Sequence, residues 1–405
     1  MKIIVKKFGG TSLSNIVKIN RAISFIRASL NSGYKIVVVV SAMGKETDRL
    51  LNLSHNLDEY RDSDNISVLL SSGEQISVGL ISMCLNGMGI KARSLLGWQI
   101  PIVSDENHSK AKIIRIEKKS ILKLIKEDTI PVIAGFQSIN PYNNRITTMG
   151  RGGSDTSAVA VAASIKADRC DIYTDVDGVY TSDPRIVKNA KKINRISYEE
   201  MLEFASLGAK VLQTRSVEMA MRYNVKVQVL SSTSGKPGTT LVKEEKIMEK
   251  ALVSGITHSK EECNITLINL QDKPGIAAKI FTPLSKANIN VDMIVQTGSE
   301  SRKHINFTFS LSKTDLKSAL GQMNANKKII GFQKIITNKK LAKISIVGLG
   351  MKTHSGVAQK MFSILASKKI NIHVISTSEI KISVLIDEKS TESAVRALHT
   401  AFKLG

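Results

Sequence analysis

Cysteines and aromatic residues are scarce in this chain, and long apolar runs and nucleotide-binding signatures of the common kind are missing. Cys84, Cys170 and Cys263 are widely spaced and odd in number, which excludes a disulfide framework and a four-ligand zinc site and points to a reducing compartment. No stretch reaches the about 18 consecutive apolar residues that a membrane span requires, and MKIIVKKFGG carries only a short apolar run before its glycines. A cytoplasmic protein without a membrane partner is expected. No GxxxxGK[ST] sequence is present, so a Walker-type loop is excluded as a source of phosphate binding.

The 58 Lys+Arg against 35 Asp+Glu give a formal net charge of +23, which taken alone raises nucleic acid as a partner. The basic residues are scattered, however, with no long basic run and no aromatics interleaved among them as on a base-stacking surface. Nucleic-acid binding is therefore not expected. Frequent Lys, Ile and Asn fit an AT-rich coding sequence, and a polyanionic substrate tolerates the charge. A length of 405 residues with 42% hydrophobic and 23% charged residues indicates a globular protein of two or three domains.

Residues 2–6 and 35–40 (KIVVVV) read as buried strands separated by a helix carrying Ile19, Ile23 and Ile26 on one face. This βαβ pattern recurs through IPVIAG at 130–135 and CDIYT at 170–174, with helices near 73–87, 155–166 and 198–222. The alternation predicts an α/β fold with a mainly parallel sheet covered by helices on both faces. Composition changes at 231–238 (SSTSGKPG) and again at KEEKIMEK, 243–250, and an internal repeat follows. KPGIAAKIFTPLSKANINVDMIVQT from Lys273 matches HSGVAQKMFSILASKKINIHVISTS from His354 at an offset of 81, aligning Gly275 with Gly356, Phe281 with Phe362 and Asn290 with Asn371. Each copy reads as a ferredoxin-like βαββαβ module. The second copy ends at Gly405 with no room for a fourth strand, so the early strand at 251–258 is expected to complete it.

Three stretches carry chemistry. In Lys7-Phe8-Gly9-Gly10-Thr11-Ser12 a strand enters a diglycine turn, where the backbone can approach an anion beside a compact positive charge. In Met149 to Thr156 (MGRGGSDT) a glycine-rich loop opens a helix capped by Ser154 or Asp155. A capped helix explains the glycines there but not Arg151, whose fork suits a carboxylate. The third, YTDVDGVYTSDPR at 173–185, lies just past a buried strand, where open α/β sheets bind ligands; its DxDG run lacks the rest of a calcium loop.

These stretches, with VVVSAMGKETD at 38–48, GEQIS at 73–77 and LEFASLGAKVLQTRSVEMA at 202–220, resemble the aspartate kinases along essentially the whole chain. The resemblance implies a three-layer αβα sandwich, the amino-acid-kinase fold, over 1–245. Two ACT domains then follow, the first over 263–338 and the second over 251–258 plus 339–405. It implies ATP, with Mg2+ carried by the nucleotide and no dedicated metal site, as phosphoryl donor to L-aspartate, the first step towards lysine, threonine and methionine. By the same resemblance, Lys7 neutralises charge on the transferring group and Asp155 organises that lysine and the nucleotide. Arg151 holds the α-carboxylate of aspartate and Glu74 its ammonium, with Ser41, Thr47 and Ser154 alongside. Phe8, Gly9, Gly10, Gly152 and Gly153 line the phosphates, and Thr174, Asp175, Tyr180, Arg185, Lys210 and Val211 meet the rest of ATP. Outside such motifs Glu74 reads as an exposed helix residue, Ser41 as a turn residue and Lys210 as a solvated lysine.

In the repeats, the resemblance implies feedback inhibition by lysine, threonine or both. The corresponding positions are Asp272, Gly275, Ile276, Ala277, Asn290 and Gln296 in the first copy and Gly356, Val357 and Asn371 in the second, because helix starts can receive a carboxylate. Exposed sheet edges and apolar faces of such modules predict at least a homodimer. Gln213-Thr214-Arg215 stands where many relatives carry proline before the arginine, and Ser355 replaces a proline before Gly356. Met248 is a candidate internal start for a shorter regulatory subunit, and no fused homoserine dehydrogenase is expected after the second repeat. The paired modules and the GEQIS and RGGSD contexts argue against a glutamate or acetylglutamate kinase. Intact Lys7, Glu74, Arg151 and Asp155 argue against a catalytically silent amino-acid sensor.

Overall fold

The computed structural model describes residues 2–55, 63–208, 211–244, 252–298, 304–354 and 356–405. The chain forms two compact units, one from 1–179, 192–206 and 210–248, the other from 180–191, 207–209 and 249–405.

The first unit begins with β1 (Ile3–Phe8), α1 (Ile16–Asn31), β2 (Lys35–Val40), α2 (Glu46–His55) and α3 (Ser63–Gly87). Then come β3 (Ala92–Leu95), β4 (Ile102–Ser104), β5 (Ile113–Ile116), α4 (Lys119–Lys126), β6 (Ile130–Ala134), β7 (Gln137–Ile139) and β8 (Ile146–Thr148). It closes with α5 (Gly153–Ser164), β9 (Arg169–Thr174), β10 (Arg195–Ser197), α6 (Tyr198–Ser206), α7 (Thr214–Tyr223), β11 (Val227–Ser231) and β12 (Pro237–Val242). Eight strands form one sheet in the order β10-β12-β11-β9-β1-β2-β6-β3, parallel except between β11 and β12. The short β5-β4-β7-β8 sheet is separate. The turn-rich 231–238 stretch is the hairpin joining β11 to β12.

Strand alternation sorts the central sheet into two faces. Ile4, Phe8, Val38 and Val40 pack with Ile19, Ile23 and Ile26 of α1 and with Val78, Ile81 and Leu85 of α3. Val5, Lys7, Val37 and Val39 are buried on the other face, where Lys7 meets α5. The sheet is thus covered on both sides, as a parallel sheet must be.

Two sequence expectations are corrected here. The single helix over 198–222 is two, α6 and α7, because Gly208 takes φ +109 after α6 and Gln213 is extended before α7. Nor is the chain free of long apolar stretches: Asp64–Gly87 of α3 has the length and hydropathy of a span. Half of that stretch is buried, with Val78, Ile81 and Leu85 in the core against the sheet.

The second unit contains β13 (Gly255–Gln271), α8 (Ile276–Lys286), β14 (Ile294–Gly298), β15 (His304–Ser312), α9 (Leu316–Ala325) and α10 (Lys327–Ile330). They are followed by β16 (Lys334–Val347), α11 (Val357–Ser367), β17 (Ile372–Thr377), β18 (Lys381–Asp387) and α12 (Thr391–Ala401). All six strands form one antiparallel sheet, β14-β15-β13-β16-β18-β17. Residues 255–259 of β13 pair with 343–347 of β16, and 262–268 pair with 334–341. Each long strand therefore serves both repeats. Two apolar cores lie under the helices, one with Ile280, Phe307, Phe309 and Met323, the other with Ile344, Val384, Met361 and Leu398. The inserted 180–191 segment joins the second through Val187. There the Thr181 carbonyl accepts from Ile256 N–H at 2.8 Å, and Thr181 Oγ1 lies 3.0 Å from His399 Nε2.

Candidate active site

The parallel register of β1 with β2 and β9 brings three strand ends together beside the first glycine-rich turn. Past Phe8 the chain turns through Gly9 and Gly10 into a 3-10 turn and then α1. Gly10 is required by its surroundings, since a Cβ there would stand 2.7 Å from the Ala42 carbonyl oxygen and 2.9 Å from that of Gly44. The Gly10 carbonyl accepts from Gly44 N–H at 2.9 Å, and Ser41 N–H donates to Phe8 O at 3.1 Å, so the turns after β1 and β2 are clamped together. Thr47 follows in the first turn of α2, half-buried.

The second glycine-rich turn approaches from the opposite face of the sheet. Gly150 and Gly152 take φ of +74 and +72, a region that β-carbon sterics make costly for other residues. Ser154 or Asp155 is the cap expected from the sequence. Instead Gly152 occupies the cap position and α5 begins at Gly153, which leaves both side chains within its first turn. Asp155 Oδ1 there lies 2.5 Å from Lys7 Nζ, and each side chain is about nine-tenths buried. An acidic residue in a first turn also suits the partial positive charge of the helix start. Ser154 is buried against Gly135, where a Cβ would meet it at 2.9 Å, and Arg151 is exposed at the tip of the turn.

Glu74 is not the exposed helix residue that its sequence context alone suggests. It is 2% exposed, with Oε1 accepting from Ala42 N–H at 2.9 Å and Oε2 buried without a hydrogen-bond partner among the described residues. Burial pushes its carboxyl up to about 8, against the opposing pull of the Ala42 N–H and of the Lys7 charge. A buried carboxylate oxygen left unpaired is costly and invites a cationic ligand.

Thr174 and Asp175 leave the end of β9 beside β1, Thr174 Oγ1 donating to Asp175 Oδ1 at 3.1 Å. Val211 is half-buried ahead of α7, and Lys210 lies outside the described residues. Tyr180 and Arg185 belong to the second unit, where Arg185 is exposed and donates from Nη2 to Asp183 at 2.7 Å. Arg215 has a part that sequence reasoning missed. Its two terminal nitrogens donate to the Met149 and Ala111 carbonyls, each at 2.7 Å, and so fix the entry to the second turn. The QTR stretch drew attention to the missing proline, and only an arginine at a helix start could have signalled it. Gln213 itself packs against Gly152.

In the second unit Gly275 and Gly356 take φ of +89 and +91 immediately before α8 and α11, the same conformation in both repeats. Ile276 and Val357 are buried behind them, whereas Asp272, Ala277, Asn290, Gln296 on β14, and Asn371 are exposed. Ser355 lies outside the described residues.

Comparison with known proteins agrees along the chain. Residues 2–231 match the amino acid kinase family, and 265–327 and 344–402 each match an ACT domain. An aspartate kinase of Pseudomonas putida is 46% identical over 405 residues, spanning all of this chain and 98% of its own length. Aspartokinase 2 of Bacillus subtilis is 44% identical over 404 residues with the same coverage. Among solved structures, E. coli aspartokinase III in complex with aspartate and ADP superposes with a TM-score of 0.84 at 25% identity, covering 99% of both chains. The same enzyme in complex with lysine and aspartate gives 0.78 at the same identity and coverage.

Proposed function

Since the chain belongs to the aspartate kinases of the amino acid kinase family, we propose that Lys7, Asp155, Glu74 and Arg151 form the centre that converts ATP and L-aspartate to ADP and 4-phospho-L-aspartate. The observation that carries this reading is the buried Lys7–Asp155 pair at the junction of the two glycine-rich turns. Bound ATP supplies the electrophilic γ-phosphoryl group. Lys7 Nζ neutralises charge on its oxygens during transfer, and Asp155 keeps that ammonium aimed. No proton need be removed, because the attacking β-carboxylate of aspartate is already ionised at neutral pH.

Aspartate presents a cation at one end and a carboxylate beside it. Glu74, with its unpaired buried oxygen, takes the ammonium, and the exposed Arg151 fork takes the α-carboxylate. Ser41, Thr47 and Ser154 supply hydroxyls along the acceptor. Gly9, Gly10, Gly152 and Gly153 line the phosphates, and at the last three a Cβ would crowd the protein's own atoms. Magnesium would arrive with the nucleotide, and Asp155 is a single carboxylate of the type that supplements phosphate ligands. Thr174, Asp175 and Val211 serve the nucleoside end, with Tyr180, Arg185 and Lys210 assigned there by family resemblance.

The product is the acyl phosphate that opens lysine, threonine and methionine synthesis. Lysine, threonine or both act as inhibitors at the helix starts after Gly275 and Gly356, in a homodimer or larger assembly. E. coli aspartokinase III with lysine bound supports that reading by likeness. The domains are taken as 1–245, 263–338, and 251–258 plus 339–405. ATP turnover with aspartate, glutamate and acetylglutamate, the acyl phosphate trapped with hydroxylamine, tests the proposal. Aspartate-dependent hydroxamate, reduced by lysine or threonine and lost in Lys7→Ala, is the expected result. No turnover by a folded protein supplied with Mg-ATP would sink it.

A further inference from the structure

Next to Lys7 in sequence, and on the opposite face of β1, lies a second buried lysine that the reaction does not use. Lys6 is 2% exposed. Its Nζ donates to Tyr173 Oη at 2.7 Å, stands 3.4 Å from Asp171 Oδ2 and lies 4.9 Å from the Tyr173 ring centroid. Lys6 and Asp171 are direct partners in the β1–β9 register. Burial holds the Lys6 ammonium below the ordinary lysine range and the Tyr173 phenol above the ordinary tyrosine range, so the charge is held at a cost.

That cost is not explained by neutralising Asp171. Arg169 already donates to both oxygens of Asp171, with Nη2 at 3.1 Å from Oδ2. Removing one member of a buried ion pair is destabilising in general, and here Asp171 would keep Arg169 as a partner, which limits that cost. What Lys6 alone reaches among the described residues is the Tyr173 hydroxyl. The Tyr173 ring is stacked between Phe8, with centroids 4.7 Å apart, and Phe25 of α1, at 5.2 Å. The carbonyl of the same residue accepts from Gly9 N–H at 3.4 Å and from Ser12 Oγ at 3.5 Å. A Cβ on Gly9 would stand 3.6 Å from that carbonyl and 3.4 Å from Lys7 Nζ. Tyr173 thus holds the diglycine turn by its backbone and the preceding Phe8 by its ring, and Lys6 pins the ring from its far end.

We propose that Lys6 is a positioning residue for phosphoryl transfer, holding Tyr173 so that the Phe8-Gly9-Gly10 turn keeps Lys7 aimed at the transferring group. This rests on the reading of Lys7 given above. Small displacements of an aimed group lower the turnover rate far more than they lower ground-state affinity.

The test compares Lys6→Met, Tyr173→Phe, their double variant and Lys7→Ala in the full chain, by hydroxamate formation and thermal unfolding. Lys6→Met should lose about ten-fold in kcat, with KM for aspartate within about two-fold of the parent, both measured well below its unfolding midpoint. Tyr173→Phe should lose a similar factor, and the double variant no more than the worse single, because both remove one contact. Undiminished kcat in Lys6→Met, or losses that multiply in the double variant, would overturn the proposal while an inactive Lys7→Ala leaves the reading of Lys7 standing. Full activity in Lys7→Ala would overturn that reading itself. Should Lys6→Met not fold, Tyr173→Phe decides alone, since it keeps the stacked ring: loss of kcat at constant KM supports the positioning role, and parental kcat refutes it.

Discussion

Lys7 Nζ and Asp155 Oδ1 lie 2.5 Å apart although 148 positions separate them in the sequence, one on a central strand and the other in the first turn of a helix. The pair joins two glycine-rich turns that are unremarkable singly. Removing either partner leaves the other charge nearly buried and unopposed, which is costly. Lys7→Ala and Asp155→Asn should each reduce hydroxamate formation by at least about 100-fold, the scale on which single charge-stabilising groups act in such reactions. Circular dichroism alongside would show that both variants keep the fold.

Glu74 gives a stability signature. Its folded-state carboxyl, pushed up to about 8, holds a proton that the unfolded chain has already released above its ordinary range near 4.5. Stability is therefore lost as pH rises from about 4.5 to about 8 and levels off above that. Glu74→Gln should flatten this dependence, and its advantage over the parent in urea unfolding should grow across that window to the order of a few kcal/mol. A gap that stays constant with pH would show that Glu74 ionises normally.

The same group predicts a proton count. An ammonium placed against Glu74 favours the ionised carboxylate, so aspartate binding at pH 7 should release a fraction of a proton. Calorimetric titration in two buffers of different ionisation enthalpy would reveal it. The release should vanish in Glu74→Gln.

Gly152 combines φ +72 with a neighbour in the way, since a Cβ would fall 1.8 Å from Gln213 Cγ. Gly152→Ala should cost about 1–2 kcal/mol for the left-handed backbone, plus the displacement of Gln213. Adding Gln213→Ala should recover only part of the second cost, because the Cβ at position 213 would still stand 2.6 Å from the new one. Denaturant unfolding of the parent, both single variants and the double variant separates the two.

Gly275 and Gly356 pose the simpler case, φ +89 and +91 with open space where a Cβ would go. Alanine at either should cost about 1 kcal/mol from backbone conformation alone, and nearly the same in both repeats. Unequal costs would mean that the helix starts differ in more than sequence.

The sequence made legible whatever is written locally or periodically. Diglycine after a β-branched strand announced the turn at Gly9, and the offset of 81 placed Gly275 and Gly356 in one conformation. What escaped depends on contacts between distant positions. The Ala42 N–H that meets Glu74, the two carbonyls that Arg215 bridges, and the Tyr173 hydroxyl that meets Lys6 become neighbours only once strands are ordered in the sheet. The residue that starts α5 was misplaced for a local reason: serine and aspartate are strong caps in general, but a glycine with positive φ can begin the helix sooner.

The long strands β13 and β16 set where the second half of the protein can be divided. Because residues 255–259 pair with 343–347 and 262–268 with 334–341, a break between the repeats strips one strand from each. Neither repeat is a severable part. A fragment meant to stand alone must begin before Gly255 and run through both copies, so a start at Met248 would keep every pairing of the sheet whereas a start at Lys273 would lose β13 entire.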